Sequence, residues 1–219
     1  MAVLRPHFDD ALESLKHSML EMFDYVISAF DTMFTMLEHN DQELATHLIE
    51  GDRRVNIHEQ QINEDAFLII LKQCPVAGDL RRIMTAVKIA NDLERIADYA
   101  VNVAVYVCKT DHDNSTYRQQ MLAYKKPLAD MLLQIKKAYE TQNTDLARSV
   151  SELDYTIDAL YQKDIERFIT IAKEETSDIA AEAARSLPVI KHFERAGDHV
   201  TNIAEHIVFL HSGEHTELN

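Results

Sequence analysis

Asn91-Asp92-Leu93-Glu94-Arg95-Ile96-Ala97-Asp98 is a stretch that this chain repeats, one hundred residues later, as Lys191-His192-Phe193-Glu194-Arg195-Ala196-Gly197-Asp198. The match extends past the motif, because Asn102 aligns with Asn202 and Ala104 with Ala204. A shared Glu-Arg-x-x-Asp with matching flanks indicates an internal repeat.

A second pair of segments supports the repeat. Asp52-Arg53-Arg54-Val55-Asn56 corresponds to Asp154-Tyr155-Thr156-Ile157-Asp158 at an offset of 102 residues, and Ala45 corresponds to Ala147 at the same offset. The link to the Glu-Arg motif is therefore two residues shorter in the second copy.

The apolar residues recur with a helical period through most of the chain, as in Phe8, Leu12, Leu15, Met19 and Phe23. We expect an all-α fold of six long helices, at about 8–37, 42–72, 79–108, 116–140, 145–173 and 177–211. Asp41 is the expected N-cap of the second helix. Gly51 and Pro188 predict bends, and Pro127 predicts a bend or a late helix start.

Three helices per copy predict two tandem, pseudo-symmetric three-helix bundles. The first repeat is placed at residues 7–110 and the second at 115–211. A polar tail follows at 212–219. Residues 109–115 are polar and form the predicted seam between the repeats.

Composition narrows the class of protein. The 219 residues carry a net charge of −15, which argues against nucleic-acid binding because no basic patch is available to neutralise phosphates. The longest apolar run, residues 66–71, is too short to cross a bilayer, and residues 1–10 do not resemble a signal peptide. Cys74 and Cys108 have no metal-ligand spacing and predict buried thiols. The expected location is the cytoplasm.

The repeated acids are the candidate site. Glu94 and Asp98, like Glu194 and Asp198, stand one helical turn apart, on or beside the apolar stripe of their helix. One interpretation is an internal salt bridge in which Arg95 or Arg195 pairs with acids of a neighbouring helix. The other is a bound polyvalent cation, for which repetition at the same place is evidence. Asp52 and Asp154 are also repeated acids on inward stripes and join the candidate set.

Carboxylate oxygens suit Mg²⁺, Mn²⁺, Ca²⁺, Fe or Zn²⁺. The di-iron bundle template needs Glu-x-x-His, and no Glu in this chain has a His three residues later. His192, His199 and His206 recur every seven residues and are predicted to be solvated or boundary side chains, because residues two turns apart cannot share one ion. No nucleophile elbow, phosphate-binding glycine loop or cysteine cluster occurs, so no catalytic or cofactor-binding residues are predicted.

Taken in order, these motifs resemble the PhoU family of phosphate-transport accessory regulators over about residues 7 to 211. The likeness rests on Ile49-Glu50-Gly51-Asp52 with Val55-Asn56, on Asp79-Leu80-Arg81-Arg82, and on the two Glu-Arg motifs. One departure is Ala97, where the family usually has Gly, as at Gly197. We expect tighter clearance near the first site as a result.

The resemblance implies a cytoplasmic, often dimeric, non-enzymatic regulator of phosphate uptake. Such a protein would act as an adaptor between the ATPase subunit of a phosphate ABC transporter and a sensor histidine kinase, and would meet the membrane only through these partners. The resemblance also implies that Glu94, Asp98, Glu194 and Asp198 hold metal, sometimes as multinuclear clusters. The alternative from another class is a metal-dependent enzyme or metal-storage bundle that uses the same carboxylates.

Overall fold

The computed structural model describes residues 5–109, 115–174, 177–214 and 216–218. Helices account for nearly all of these residues, and the described ranges contain no strand, so the all-α prediction is confirmed. The helices are α1 (Arg5–His39), α2 (Gln42–Gly51), α3 (Arg53–Gln73), α4 (Ala77–Lys109), α5 (Ser115–Leu122), α6 (Lys125–Thr141), α7 (Thr144–Arg148), α8 (Val150–Glu174) and α9 (Ser177–Ser212).

Three of the six predicted helices are interrupted. The second breaks at Asp52, directly after Gly51, where the sequence predicts a bend. The fourth breaks before Lys125, so Pro127 lies in the first turn of α6, where its missing N–H costs no hydrogen bond. The fifth breaks at Ser149. By contrast, α9 continues through Pro188.

One turn recurs in both repeats and supports the duplication. Asn40 and Gln142, at the predicted offset of 102, both adopt a left-handed conformation with φ of 53°. The next residue in each copy then caps a helix: Leu44 N–H donates to Asp41 Oδ1 and Leu146 N–H donates to Asn143 Oδ1, both at 2.9 Å. The N-cap predicted at Asp41 is therefore confirmed.

The two repeats lie side by side and share one core. Helices α1 to α4 form the first repeat and α5 to α9 the second, with α4 packed along α9 and α1 against α6. The buried side chains of both repeats belong to one continuous cluster. Phe193 of α9 illustrates this, since its ring lies 5.5 Å from that of Phe34 and 5.1 Å from that of Tyr124. Residues 110–114 of the predicted seam lie outside the described residues.

Both cysteines are free, but the prediction that they are buried is wrong, because both are exposed. Cys74 ends α3 in a left-handed conformation with φ of 45°, where the chain turns outward into α4. Cys108 lies one residue before the end of α4. Both positions are helix ends, where neighbouring helices no longer cover the side chain.

Candidate functional site

The first repeat brings acids of α3 and α4 together beside the break at Asp52. Glu94 and Asp98 are half-buried, with 22% and 33% of their side chains exposed. Burial raises the pKa of Glu94 most, followed by the Asp98 carboxylate. Glu59 and Asp52 raise it further, and only Arg95 lowers it. Burial and Asp52 likewise raise the pKa of Asp98. The structure thus places Asp52 near the motif acids, as predicted, and adds Glu59.

Arg95 is the cation nearest these acids, and it belongs to the same helix. Its Nε lies 3.5 Å from Glu94 Oε2, and its Nη1 lies 3.4 Å from Asp98 Oδ2. The salt-bridge interpretation placed Arg95 against acids of a neighbouring helix, and that detail is wrong. The 3.5 Å contact with Arg95 is an ion pair without hydrogen-bond geometry, so Glu94 Oε2 is buried without a hydrogen bond.

The second repeat builds a corresponding cluster from α8 and α9. Burial, then Glu194 and Asp158, raise the pKa of Asp198, while burial and Glu194 raise the pKa of Asp158. Asp154 is nearly fully buried, and its Oδ1 lies within 2.6 Å of where a Cβ on Gly197 would stand. Asp154, Asp158, Glu194 and Asp198 therefore converge on one region.

Here the nearby cation is Lys191 rather than Arg195. Lys191 Nζ donates to Glu194 Oε1 at 2.5 Å, one turn earlier on α9. Glu194 Oε2 is buried without a hydrogen bond, as is Glu94 Oε2 in the first repeat. Arg195 instead interacts with Tyr99 of α4. The same oxygen of the same motif residue thus lacks a hydrogen bond in both repeats.

Glu59 and Asp158 complete the clusters, although the predicted set lacks them. Glu59 follows Asp52 by seven residues on the inward stripe of α3, and Asp158 follows Asp154 by four on α8. Helical spacing was the available signal for both residues. Their distance to the motif acids depends on how the helices pack, which local spacing does not determine.

The two clusters differ in clearance, but the prediction of tighter clearance at the first site is wrong, because the tighter packing lies at Gly197 of the second. Gly197 lets Asp154 approach α9 closely, whereas Ala97 carries a methyl group at the corresponding position. A cavity of about 300 Å³ opens beside Ala97, and Asp52 and Gly51 are among its lining residues. The first cluster is therefore open to a cavity, and Asp52 is more exposed than the buried Asp154.

Carboxylates without enough donors favour binding of a cation. Each cluster sets four acids against one ion-paired base, Arg95 in the first and Lys191 in the second. Within the described ranges, however, no three His, Cys, Asp or Glu side chains are placed so that together they could hold one metal ion. The geometry thus provides oxygen ligands on two packed helices per repeat, and the metal assignment remains a prediction.

The histidines of α9 lie at the interface between the repeats rather than in solvent. His199 Nδ1 lies 2.8 Å from Asp92 Oδ1, and His206 Nε2 lies 3.3 Å from Asp92 Oδ2. Burial raises the pKa of Asp92, but the hydrogen bonds to both histidines outweigh it, so this pKa is lowered. His192 stacks on Tyr99 with ring centroids 5.5 Å apart. These side chains connect α4 to α9.

The raised pKa values predict how acid affects the metal-free protein. A carboxyl group whose pKa is raised in the folded state takes up its proton there first, so stability increases as the pH falls from neutral towards the ordinary values near 4. Asp92 and His192, whose pKa values are lowered, act in the opposite direction. A variant with Gln at 94 and 194 and Asn at 98 and 198 isolates the acidic clusters.

We expect the wild-type chain in chelator to gain more stability, or lose less, between pH 7 and pH 5 than this fourfold variant. Urea unfolding at each pH measures the difference, because the contributions of Asp92 and His192 are common to both proteins. Identical pH dependence of the two proteins would contradict the clustering of the acids.

The chain is similar in sequence to a known protein family along both repeats. The family model described as PhoU domain matches the chain twice, over residues 19–107 and 126–207. A phosphate-specific transport system accessory protein PhoU homolog of Zymomonas mobilis is 31% identical over 94% of this chain and 87% of its own length. The phosphate-specific transport system accessory protein PhoU of Serratia marcescens is 30% identical over 94% of this chain and 85% of its own.

Two solved structures share the fold. The crystal structure of PhoU from Pseudomonas aeruginosa has a TM-score of 0.89 at 27% identity and covers 94% of this chain and all of its own. The phosphate transport system regulatory protein PhoU from Streptococcus pneumoniae has a TM-score of 0.88 at 26% identity, covering 95% and 99%. Both similarities extend over the two repeats together.

Proposed function

Since the chain belongs to the PhoU family, we propose that it is an accessory regulator of a phosphate-specific transport system. The observation that carries this proposal is the match of the PhoU domain to both repeats, over residues 19–107 and 126–207. Relatives named as accessory proteins of such a system align over almost the whole chain, so the likeness is not confined to one shared repeat.

In its finer form, the proposal is an adaptor that acts by binding rather than by catalysis. It would restrain phosphate uptake and starvation signalling by contacting the ATPase subunit of a phosphate ABC transporter and a sensor histidine kinase, as a cytoplasmic homodimer. Its strongly acidic surface supports binding to basic surfaces of proteins. In the described part of the chain, no helix is both long and apolar enough to span a bilayer.

The metal proposal concerns the two acidic clusters. Glu94, Asp98 and Asp52 would hold a cation in the first repeat, and Glu194, Asp198 and Asp154 in the second, with Glu59 and Asp158 beside them. The buried Oε2 atoms of Glu94 and Glu194 fit this role, because each lacks a hydrogen bond where a cation would supply a partner. Fe, Zn²⁺, Mn²⁺, Mg²⁺ and Ca²⁺ all accept carboxylate oxygens.

A bound cation would neutralise the mutual repulsion of the acids and link the helices that carry them. In the second repeat, Glu194 would have to release Lys191 before it could bind the ion with both oxygens. In the first repeat, Arg95 is held less closely and the cavity beside Ala97 gives access. The first cluster is therefore the better placed to exchange its ion.

Deletion of the gene tests the regulatory role. We expect the deletion to raise expression of phosphate-starvation genes, or to disturb phosphate uptake, while phosphate is plentiful. A tagged copy should restore repression and co-purify with the transporter's ATPase subunit or with the sensor kinase. The proposal fails if repression and uptake stay normal and neither partner is recovered, once any related chain in the same genome has been deleted as well.

A further inference from the structure

Exposed apolar side chains gather where α3 turns into α4. Phe67 and Leu71 stand one turn apart on α3, and each is 64% exposed. Leu80 and Met84 stand one turn apart at the start of α4 and are also exposed, and Val76 in the connection reaches 75%. Because α3 and α4 are antiparallel and are joined by residues 74–76 alone, the two pairs lie at similar distances from the turn between the helices. These five residues form the hairpin-tip patch.

The second repeat keeps only part of this patch at the corresponding positions of α8. At the offset of 102, Ile169 takes the position of Phe67 and is itself exposed. Lys173, however, takes the position of Leu71, so a charge replaces the second apolar side chain. The apolar pair of α3 is therefore reduced to a single residue on α8.

The α4 side of the patch is also missing from the second repeat. The offset of 100 puts Ala180 and Ala184 where the first repeat has Leu80 and Met84, so two methyl groups replace two large side chains. The packing of a repeat thus does not require the patch. A cluster of large exposed apolar groups in only one of two related copies points to an interaction surface.

The charge around the patch is opposite to that of the whole chain. Residues 66–88 contain four basic side chains, Lys72, Arg81, Arg82 and Lys88, and one acid, Asp79, in a protein of net charge −15. Acids return one turn before Phe67, at Glu64 and Asp65. Arg81 and Lys88 also lie over the ring of Phe209 of α9. Arg82 lines a cavity with Asp9 and Glu13 of α1, whereas Lys72 directly follows Leu71 of the patch. The local excess of basic over acidic residues favours an anionic partner.

We propose that the hairpin-tip patch inserts into the surface of an anionic phospholipid membrane. Its shape selects lipid over a protein groove, because side chains as exposed as Val76 and Phe67 protrude from the end of a hairpin. A protruding apolar surface is buried most readily by a partner that deforms around it, as lipid headgroups do. Apolar and aromatic residues bordered by Lys and Arg are the pattern of interfacial membrane segments.

This inference does not depend on the proposed function, since it rests on exposure and charge alone. It revises the expectation that the chain meets the membrane only through its partners. The acidic remainder of the surface would be repelled by anionic lipid, so binding would orient the molecule with the α3–α4 turn towards the bilayer. Binding should therefore weaken as salt is raised, while the apolar contribution persists.

Flotation of the purified full chain with lipid vesicles tests the proposal. We expect binding to vesicles of equimolar phosphatidylglycerol and phosphatidylcholine, and much weaker binding to phosphatidylcholine alone. Phe67→Ser with Leu71→Ser should lower the partition coefficient about tenfold or more, because each side chain loses its apolar burial in the lipid. Both residues are already exposed, so the variant should keep the helicity and thermal unfolding of the wild type.

The second repeat supplies the matched control. Ile169→Ser removes an apolar side chain of comparable exposure at the position that corresponds to Phe67, and it should leave vesicle binding unchanged. Lys72→Glu tests the cations separately and should weaken binding to anionic vesicles only.

Three outcomes overturn the proposal. The first is that neither kind of vesicle binds the wild-type chain. The second is that the Phe67, Leu71 and Ile169 variants bind equally well. The third is occupation of the patch by protein. That would appear as a dimer that the Phe67/Leu71 variant dissociates without lipid, or as a photocrosslinker at position 71 that captures protein in cells.

Discussion

Replacing Glu94 by Gln together with Asp98 by Asn should reduce the metal bound by the first repeat to background, while the helices stay formed. The variant removes the charges that would hold the ion and leaves side chains of nearly the same shape. It should not reduce the stability of the metal-free protein, because the raised pKa values of both groups mean that their ionised forms are unfavourable in the fold. Elemental analysis and circular dichroism measure the two effects.

The second repeat provides the matched variant, Glu194→Gln with Asp198→Asn. Each double variant should lose the metal bound by its own repeat, and the fourfold variant should lose the metal of both repeats. Metal content that stays at the wild-type level in the fourfold variant would show that the acids are held by Arg95 and Lys191 alone. A collapsed fold in either double variant would show that the charges stabilise the helices, against the direction of the raised pKa values of Glu94, Asp98 and Asp198.

Gly197→Val should destabilise the protein by about 2 kcal/mol, within the range for overpacking a well-filled interior. A Cβ at this position would lie 2.6 Å from Asp154 Oδ1, so a buried carboxylate must move to admit it. The gain in helix propensity over Gly is smaller than this cost. Urea unfolding with unchanged slope measures the loss.

Ala97→Val is the control at the corresponding position of the first repeat. Its added methyl groups can enter the cavity of about 300 Å³ beside Ala97, so we expect a loss below about 1 kcal/mol. Equal losses in the two variants would mean that the repeats do not differ in clearance.

Helical periodicity predicted the fold well, because each long helix buries one continuous apolar stripe. The break at Asp52 had a local signal in Gly51, and the break before Lys125 had one in Pro127, but the break at Ser149 had none. Tyr124, just before α6, is fully buried and its hydroxyl donates to Asp164 of α8 at 3.0 Å. This contact spans 40 residues of sequence, and no local pattern contains it.

In the candidate site too, some features were predictable from the sequence and others depend on how distant helices pack. Repetition identified the acids of α4 and α9 and their companions Asp52 and Asp154. The structure alone shows Asp92 between His199 and His206, because these residues are 107 or more positions apart and meet only when α4 packs on α9. Composition likewise misplaced Cys74, since burial depends on where a helix ends and not on residue type.

The continuous core described above means that two units related by duplication do not behave as two independent folding units. The repeats match in sequence, as expected from duplication of an ancestral half-length chain. Yet the apolar side chains of α4 and α9 complete a single interior. Neither half could unfold without exposing the other half's packing face to water, so the duplicated units melt cooperatively as one. An ancestor of half this length would have needed a second copy of itself to cover the same face.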